Sequence, residues 1–169
     1  MEILKRTRFC LVMAALAAAG FNGCSIEAKN SRLLKSAERY FESGEYDKAK
    51  IEYLNVLRSD PQNAVAIQRL GTIWYEQGAP SRAAPFLLKT RELLPDDIES
   101  RTRLAQALMS VRHFEEARKE ALAILEQSPA HDEAMLVLVE ASRSPEELEE
   151  AEQRLRSINA SDDPGFHLA

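Results

Sequence analysis

Three cations fall at a constant interval in this 169-residue chain: Lys35, Arg69 and Arg103, each 34 residues from the next. A second row keeps the same interval and is apolar: Phe41, Tyr75 and Met109. A fixed interval of this size marks stacked structural units, which set equivalent side chains one above another. Stacked cationic groups can grip the carboxylates or backbone carbonyls of an extended peptide. A stacked apolar row offers a strip on which a partner buries surface. A plainer reading stands beside this one: Lys and Arg solvated on a helix face, paired with Glu38, Glu42 and Glu76, and a Phe41 partly covered by the segment before it. Covalent chemistry has far less support. His113, His131 and His167 are isolated, and no His/Cys/carboxylate set has metal-ligand spacing. No Gly-rich phosphate loop or nucleophile motif is present. The sequence predicts no catalytic centre, no metal and no cofactor.

The elements that would hold these rows are legible in other columns of the same period. Pro61, Pro95 and Pro129 share it, as do Ala49, Ala83 and Ala117, and Tyr40, Trp74 and Leu108. Gly44 and Gly78 share it too, and Arg112 breaks that series. Ile67, Leu70, Gly71 and Trp74 follow i, i+3, i+4, i+7, one face of a helix. Gln77-Gly78-Ala79-Pro80 breaks the chain, and Ala83, Leu87 and Thr90 recur on a second helix face. Leu94-Pro95-Asp96-Asp97 closes the unit, because proline ends one helix and suits the first turn of the next. Gly71 and Ala83 let the two backbones approach, and Trp74 is expected to fill the core beside them. Tyr75, one residue on, points roughly 100° away around the helix. The pattern predicts helices over 31–42, 45–58, 62–77, 81–93, 97–110, 114–127, 131–142 and 145–158. Ser144-Pro145-Glu146-Glu147 reads as a capping box, and Glu146–Glu152 as a solvated face. Pro85 is expected to delay or kink its helix.

These columns resemble the tetratricopeptide repeat (TPR) family. The second unit carries the resemblance with Ile67, Leu70, Gly71, Trp74, Gly78, Ala83, Leu87 and Pro95; the first with Leu33, Ala37, Tyr40, Gly44, Ala49, Tyr53 and Pro61. The third follows with Leu104, Ala105, Leu108, Ala117, Ala121, Ile124 and Pro129, with Arg101 where an apolar residue is usual. A fourth is weaker: Met135, Leu138, Val139, Ala151, Leu155 and Ile158. The resemblance implies an all-α, right-handed solenoid of helical hairpins, about four repeats over residues 31–160. It also implies that the first helix of each pair lines a concave groove, toward which Tyr75 and its row would point. The asparagines of the family's carboxylate clamp are absent, so chaperone-tail recognition of that kind is not implied.

The two ends read differently. Lys5, Arg6 and Arg8 precede an apolar run from Phe9 to Ala19, the layout of an export signal over residues 1–23. That run is shorter than the roughly 20 residues a membrane span needs. Cys10 would leave with the signal. Cys24, after Phe21-Asn22-Gly23, resembles the lipobox cysteine of bacterial lipoproteins, which implies cleavage before it, lipidation of its thiol and a tether over 24–30. Multiple acyl chains give stable anchoring. Ser25 in place of the Asp of an inner-membrane retention signal implies the outer membrane; without lipidation the protein is expected to be secreted. Composition is that of an ordinary globular chain, with 45% hydrophobic and 29% charged residues. The net charge of −5 argues against a nucleic-acid partner. Residues 161–169 read as a tail or the start of a further repeat, Asp163-Pro164-Gly165 having the look of an inter-repeat turn. The expectation is a non-catalytic, membrane-anchored scaffold of the bacterial envelope that binds a protein or peptide through its groove. Its start, with repeats directly after Cys-Ser, is similar to exosortase-associated TPR lipoproteins. Two alternatives remain open: the repeat module of a longer protein or accessory subunit of an enzyme complex, and a self-associating structural protein.

Overall fold

Helix punctuation recurs here as regularly as the packing columns. The computed structural model describes residues 26–161, with side chains to residue 158. Every element among them is helical: α1 (26–42), α2 (Tyr46–Ser59), α3 (Ala64–Glu76), α4 (Pro80–Leu93), α5 (Ile98–Ser110), α6 (Phe114–Gln127), α7 (Asp132–Ala141) and α8 (Pro145–Ser161). Each hairpin turn from α1 to α6 uses one device. Glu45, Ala79 and His113 each donate a backbone N–H to the carbonyl five residues back, on Tyr40, Trp74 and Leu108, at 2.8–2.9 Å. The residue before each donor must take a positive φ, which only glycine adopts without steric cost. Gly44 and Gly78 do so at 74° and 68°. Arg112, which breaks the glycine column, takes the same conformation at φ 64°. Its guanidinium lies 5.4 Å from the Phe114 ring centroid, a cation–π contact that offsets part of a cost of about 1–2 kcal/mol.

The chain divides into two compact units, the first ending at Ala66 and the second starting at Ile67. In the first, Ala37, Ala49, Tyr53 and Val56 are buried. The Tyr53 hydroxyl donates to Glu38 Oε1 at 2.6 Å, so α2 satisfies its one buried phenol on α1. Helix α1 starts at 26, ahead of the expected 31, so residues 26–30 of the expected tether are helical. Glu27, Ala28 and Lys29 favour helix intrinsically. Asn30 extends the packing, its Oδ1 accepting from Ser59 Oγ at 2.7 Å.

The second unit holds the larger core, built from Leu87, Leu104, Ala105, Leu108, Ile124 and Leu138 among others. Ala83, Ala117 and Ala151 have no exposed surface, so the small-residue column sits at the helix contacts it was expected to make. A Cβ placed on Gly71 would lie 3.0 Å from Leu87 Cδ2, the close approach that its absence permits. Trp74 departs from expectation. It packs against the core but is only half-buried, with the Arg82 guanidinium 4.9 Å from its ring centroid. Its neighbour Ile73 is the side chain that is fully buried. Trp74 stands in the last turn of α3.

Pro85 neither delays α4 nor ends it. The helix starts at Pro80, which occupies the first helical position, and runs through Pro85 to Leu93. The carbonyl of Ser81 loses its helical donor there, and Ser81 is exposed, so water can serve it. The capping box at α8 forms in full. Ser144 Oγ accepts from the Glu147 N–H at 3.3 Å, and Glu147 Oε2 accepts from the N–H groups of Ser144 and Arg143 at 3.3 and 2.6 Å. Asp97 caps α5 through the Ser100 N–H and also accepts from Gln68 of α3. Burial pushes its carboxyl up, and the hydrogen bonds from Ser100 and Gln68 outweigh that, holding it below the usual carboxylate range. Arg101, the polar intruder in an apolar column, has a buried partner. Its Nη1 lies 3.5 Å from Glu120 Oε2, its Nε donates to the Pro95 carbonyl at 2.8 Å, and Arg91 Nη1 reaches Glu120 Oε1 at 2.5 Å.

Candidate functional site

Within the second unit, α3, α5 and α7 are first helices of successive pairs, and together they line a cleft of about 590 Å³. Tyr75, Arg103, Gln106, Glu99, His131 and Glu133 are its principal walls. The Tyr75 hydroxyl donates to Gln106 Oε1 at 2.5 Å, which fixes the ring across the gap between α3 and α5. Burial raises the phenol's pKa, Glu76 and Glu133 raise it further, and Arg103 opposes them. Arg103 Nη2 donates to Glu99 Oε1 at 2.7 Å, and its Nε lies 3.7 Å from Glu76 Oε1. His131 caps α7, its Nδ1 accepting from the Ala134 N–H at 3.3 Å. Counting Glu76, Glu99 and Glu133 against Arg103, the cleft offers more acceptors than donors.

Of the residues expected from sequence, Tyr75 and Arg103 meet in this cleft. Arg69 is half-buried on α3 and does not line it, and Met109 packs against the core. Lys35 and Phe41 belong to the first unit. There Lys35 lines a separate cleft of about 580 Å³ with Leu34, Glu38, Glu42, Asp60 and Asn63, and the Phe41 ring packs 5.7 Å from that of Tyr46. Cys24 and the expected signal over residues 1–23 lie outside the described residues, as do residues 162–169. Gln106, Glu99, Glu133 and His131 were not anticipated. The reason is geometric: residues in one column are 34 apart, but those that touch across neighbouring helices are closer in sequence. Tyr75 meets Gln106 at a separation of 31 and Gln68 meets Asp97 at 29. An offset of 27 joins Glu76 to Arg103, and one of 31 joins Tyr75 to Gln106.

Among the described residues, no group of His, Cys, Asp and Glu is placed to hold a metal ion, and no helix is long and apolar enough to cross a membrane. The cleft presents hydrogen-bonding and charged groups of α3 and α5 and of the start of α7.

Known proteins share this architecture. The bovine (Bos taurus) protein "DnaJ homolog subfamily C member 3" is 24% identical over 154 residues, covering 91% of this chain and 30% of the relative, so the chain spans under a third of that protein's length. The solved structure of MamA AMB-1 superposes with a TM-score of 0.69 at 23% identity, covering 78% of this chain and 72% of that one. YrrB, described as "a TPR protein with an unusual peptide-binding site", gives a TM-score of 0.67 at 25% identity, covering 82% and 72%. The tetratricopeptide repeat profile matches residues 34–98 and 102–164. With that match over most of its length, and helical pairs that repeat in the same register, the chain belongs to the tetratricopeptide repeat family.

Proposed function

We propose that this protein is a non-catalytic scaffold that holds an extended segment of a protein partner in the cleft of its second unit, while a lipid on Cys24 tethers it to the bacterial envelope. The observation that carries the reading is the cleft itself. It is walled by three successive first helices, with a positioned Tyr75 and a surplus of carboxylates. The peptide-binding site of YrrB supports a peptide as the occupant. Arg103 is already held by Glu99 and Glu76, so it is not a free grip for a partner's carboxylates. The unsatisfied capacity is acceptor capacity, which suits backbone N–H groups and Lys or Arg side chains of the partner. The Cys24 anchor rests on the lipobox resemblance, and the outer membrane on Ser25.

Two measurements test the two halves of this reading. Glu133 is exposed, so Glu133→Arg reverses charge in the cleft without touching the core, and Tyr75→Ala removes the aromatic wall. Captured from envelope extract on the intact protein, the specific partner should fall on the order of tenfold or more for each variant, the loss expected of a hot-spot side chain. A partner set recovered equally by both variants and the parent refutes the cleft. Cells fed a clickable palmitate should label the parent and not Cys24→Ser; equal labelling removes the anchor and leaves the cleft standing.

A second reading, the repeat module of a longer protein or of an enzyme complex, is favoured by one observation: the curated relative it matches is more than three times the matched length.

A further inference from the structure

Three residues at the repeat interval close the links that lead into first helices, and each caps the helix that follows. Asn63 Oδ1 accepts from the Ala66 N–H at 3.0 Å, Asp97 Oδ1 from the Ser100 N–H at 3.3 Å, and His131 Nδ1 from the Ala134 N–H at 3.3 Å. Asparagine and aspartate are among the strongest N-cap residues, and histidine is outside that set. Capping alone therefore does not account for a histidine in this column. His131 is also the one member of the column that lines the cleft of the second unit.

The cap fixes the chemistry of the ring. A nitrogen that accepts carries no hydrogen, so the neutral imidazole holds its proton on Nε2. Among the described residues no acceptor takes that N–H. Asp97 uses its second oxygen on Gln68 of the preceding first helix, but the residue one repeat on from Gln68 is Thr102, whose hydroxyl turns back to the Ile98 carbonyl at 2.9 Å. The other donors of the cleft are committed: the Tyr75 hydroxyl to Gln106, and Arg103 to Glu99 and Glu76. An extended segment brings carbonyl oxygens as well as N–H groups, and the donors left to meet them are the Gln106 amide and the His131 ring.

We propose that His131 is a binding residue of this cleft, donating its Nε2–H to a backbone carbonyl of the bound segment; the inference rests on the cleft being a peptide site. The same ring makes occupancy by a cationic segment depend on pH. The titratable and charged groups sharing the cleft with it are Tyr75 and Glu76 of α3, Glu99 and Arg103 of α5, and Glu133 on its own helix; α6 and α8, which also pack on α7, contribute none to the lining. A second proton makes both ring nitrogens donors, so the cap on Ala134 is lost. It also lowers the surplus negative charge of the cleft from two to one, with Glu76, Glu99 and Glu133 set against Arg103. Acid therefore weakens the site twice, through its charge and through the first turn of α7, which carries Glu133.

The test uses the full chain and a short fluorescent peptide of alternating lysine and serine. For the parent, affinity should fall on the order of tenfold from about pH 8 to about pH 5.5, the interval in which histidine ordinarily titrates. His131→Asn keeps the cap in the form Asn63 uses, and His131→Asp in the form Asp97 uses, so both should melt within roughly 3 °C of the parent. Both should lose most of the pH-dependent fall. In protein labelled with nitrogen-15 histidine, His131 should show the Nε2–H tautomer at about pH 8, and the peptide should shift its Nε2 signal. Variants that keep the parent's pH profile overturn the proposal, as does an Nε2 signal the peptide leaves unmoved. Binding lost in Tyr75→Ala beside an unchanged profile in His131→Asn sinks this inference and leaves the cleft standing. A peptide held equally by Tyr75→Ala and the parent, or not held by the parent, sinks both.

Discussion

Gly71→Val should lower the melting temperature of the second unit by roughly 10 °C, a loss of about 3 kcal/mol. Two opposing effects set the sign. Replacing glycine in a helix interior gains up to about 1 kcal/mol of intrinsic preference. Against that, the first added carbon would stand 3.0 and 3.1 Å from Leu87 Cδ2 and Cγ, and 3.3 Å from the Leu87 backbone N. A flexible side-chain end can retreat, but a backbone nitrogen moves only if α4 moves, and Leu87 is fully buried in a packed core. Alanine brings one carbon into that gap and should come out mildly destabilising. Valine's two further methyls leave no such balance. The control is a cycle with Leu87→Ala, which alone should cost about 2–5 kcal/mol by opening a cavity. In the double variant the valine occupies space the leucine vacated, so the combined loss should fall short of the sum by about 1 kcal/mol or more. Calorimetry or circular dichroism melts of the four proteins decide it. Strict additivity would mean that Gly71 is present for some reason other than the α3–α4 approach.

That glycine was visible in the sequence because helix packing leaves a periodic trace. Ala49, Ala83, Ala117 and Ala151 all lie at zero exposure, each 34 residues from the last, and six of the eight helices have both ends within two residues of expectation. Such features depend on which face of a helix is buried, and a face is a property of local spacing. What escaped depends on contacts between helices. Trp74 shares its column with Leu108, yet the leucine is buried and the tryptophan half-exposed, because volume at a helix end is decided by the neighbouring turn rather than by the column. The cationic row shows the same limit more sharply. Lys35, Arg69 and Arg103 are equivalent in sequence, but side chains touch their neighbours at separations of 29 to 32, as at Gln68–Asp97 and Arg118–Glu150. Adjacent first helices are therefore read against one another with a shift of a few residues. At a separation of 27, Arg103 meets Glu76, one of the carboxylates that the plainer reading of the row had set beside the cations. Tyr75 lines the cleft; its direction follows from helix geometry, and the groove it was expected to face follows from the family resemblance. Gln106, Glu99 and Glu133 needed the shift.

Arg101 is the clearest case of a residue whose role exists only between helices, and it leads to the second large effect. Glu120→Ala should destabilise the fold by about 2–4 kcal/mol, because it strips a buried carboxylate from between two guanidinium groups. Glu120 on α6 is almost wholly buried and is held by Arg91 of α4 at 2.5 Å and Arg101 of α5 at 3.5 Å, so three helices converge on one charge. Removing Arg91 alone should cost less, since its side chain is 37% exposed and water can replace part of what it gives; Arg101, at 15%, has less access. Removing the carboxylate leaves both cations facing each other without a counter-charge, and Arg101 stays pinned by its bond to the Pro95 carbonyl. The triad need not stabilise the fold relative to apolar packing. A chain carrying Arg91→Met, Arg101→Met and Glu120→Leu together should recover most of the loss, because no desolvated charge remains. Melting the single and triple variants at low and high salt separates the possibilities. A Glu120→Ala protein that melts with the parent would show the carboxylate to be an idle passenger. A triple variant as unstable as the single one would show that the triad orders α4, α5 and α6 in a way apolar side chains of similar volume do not reproduce.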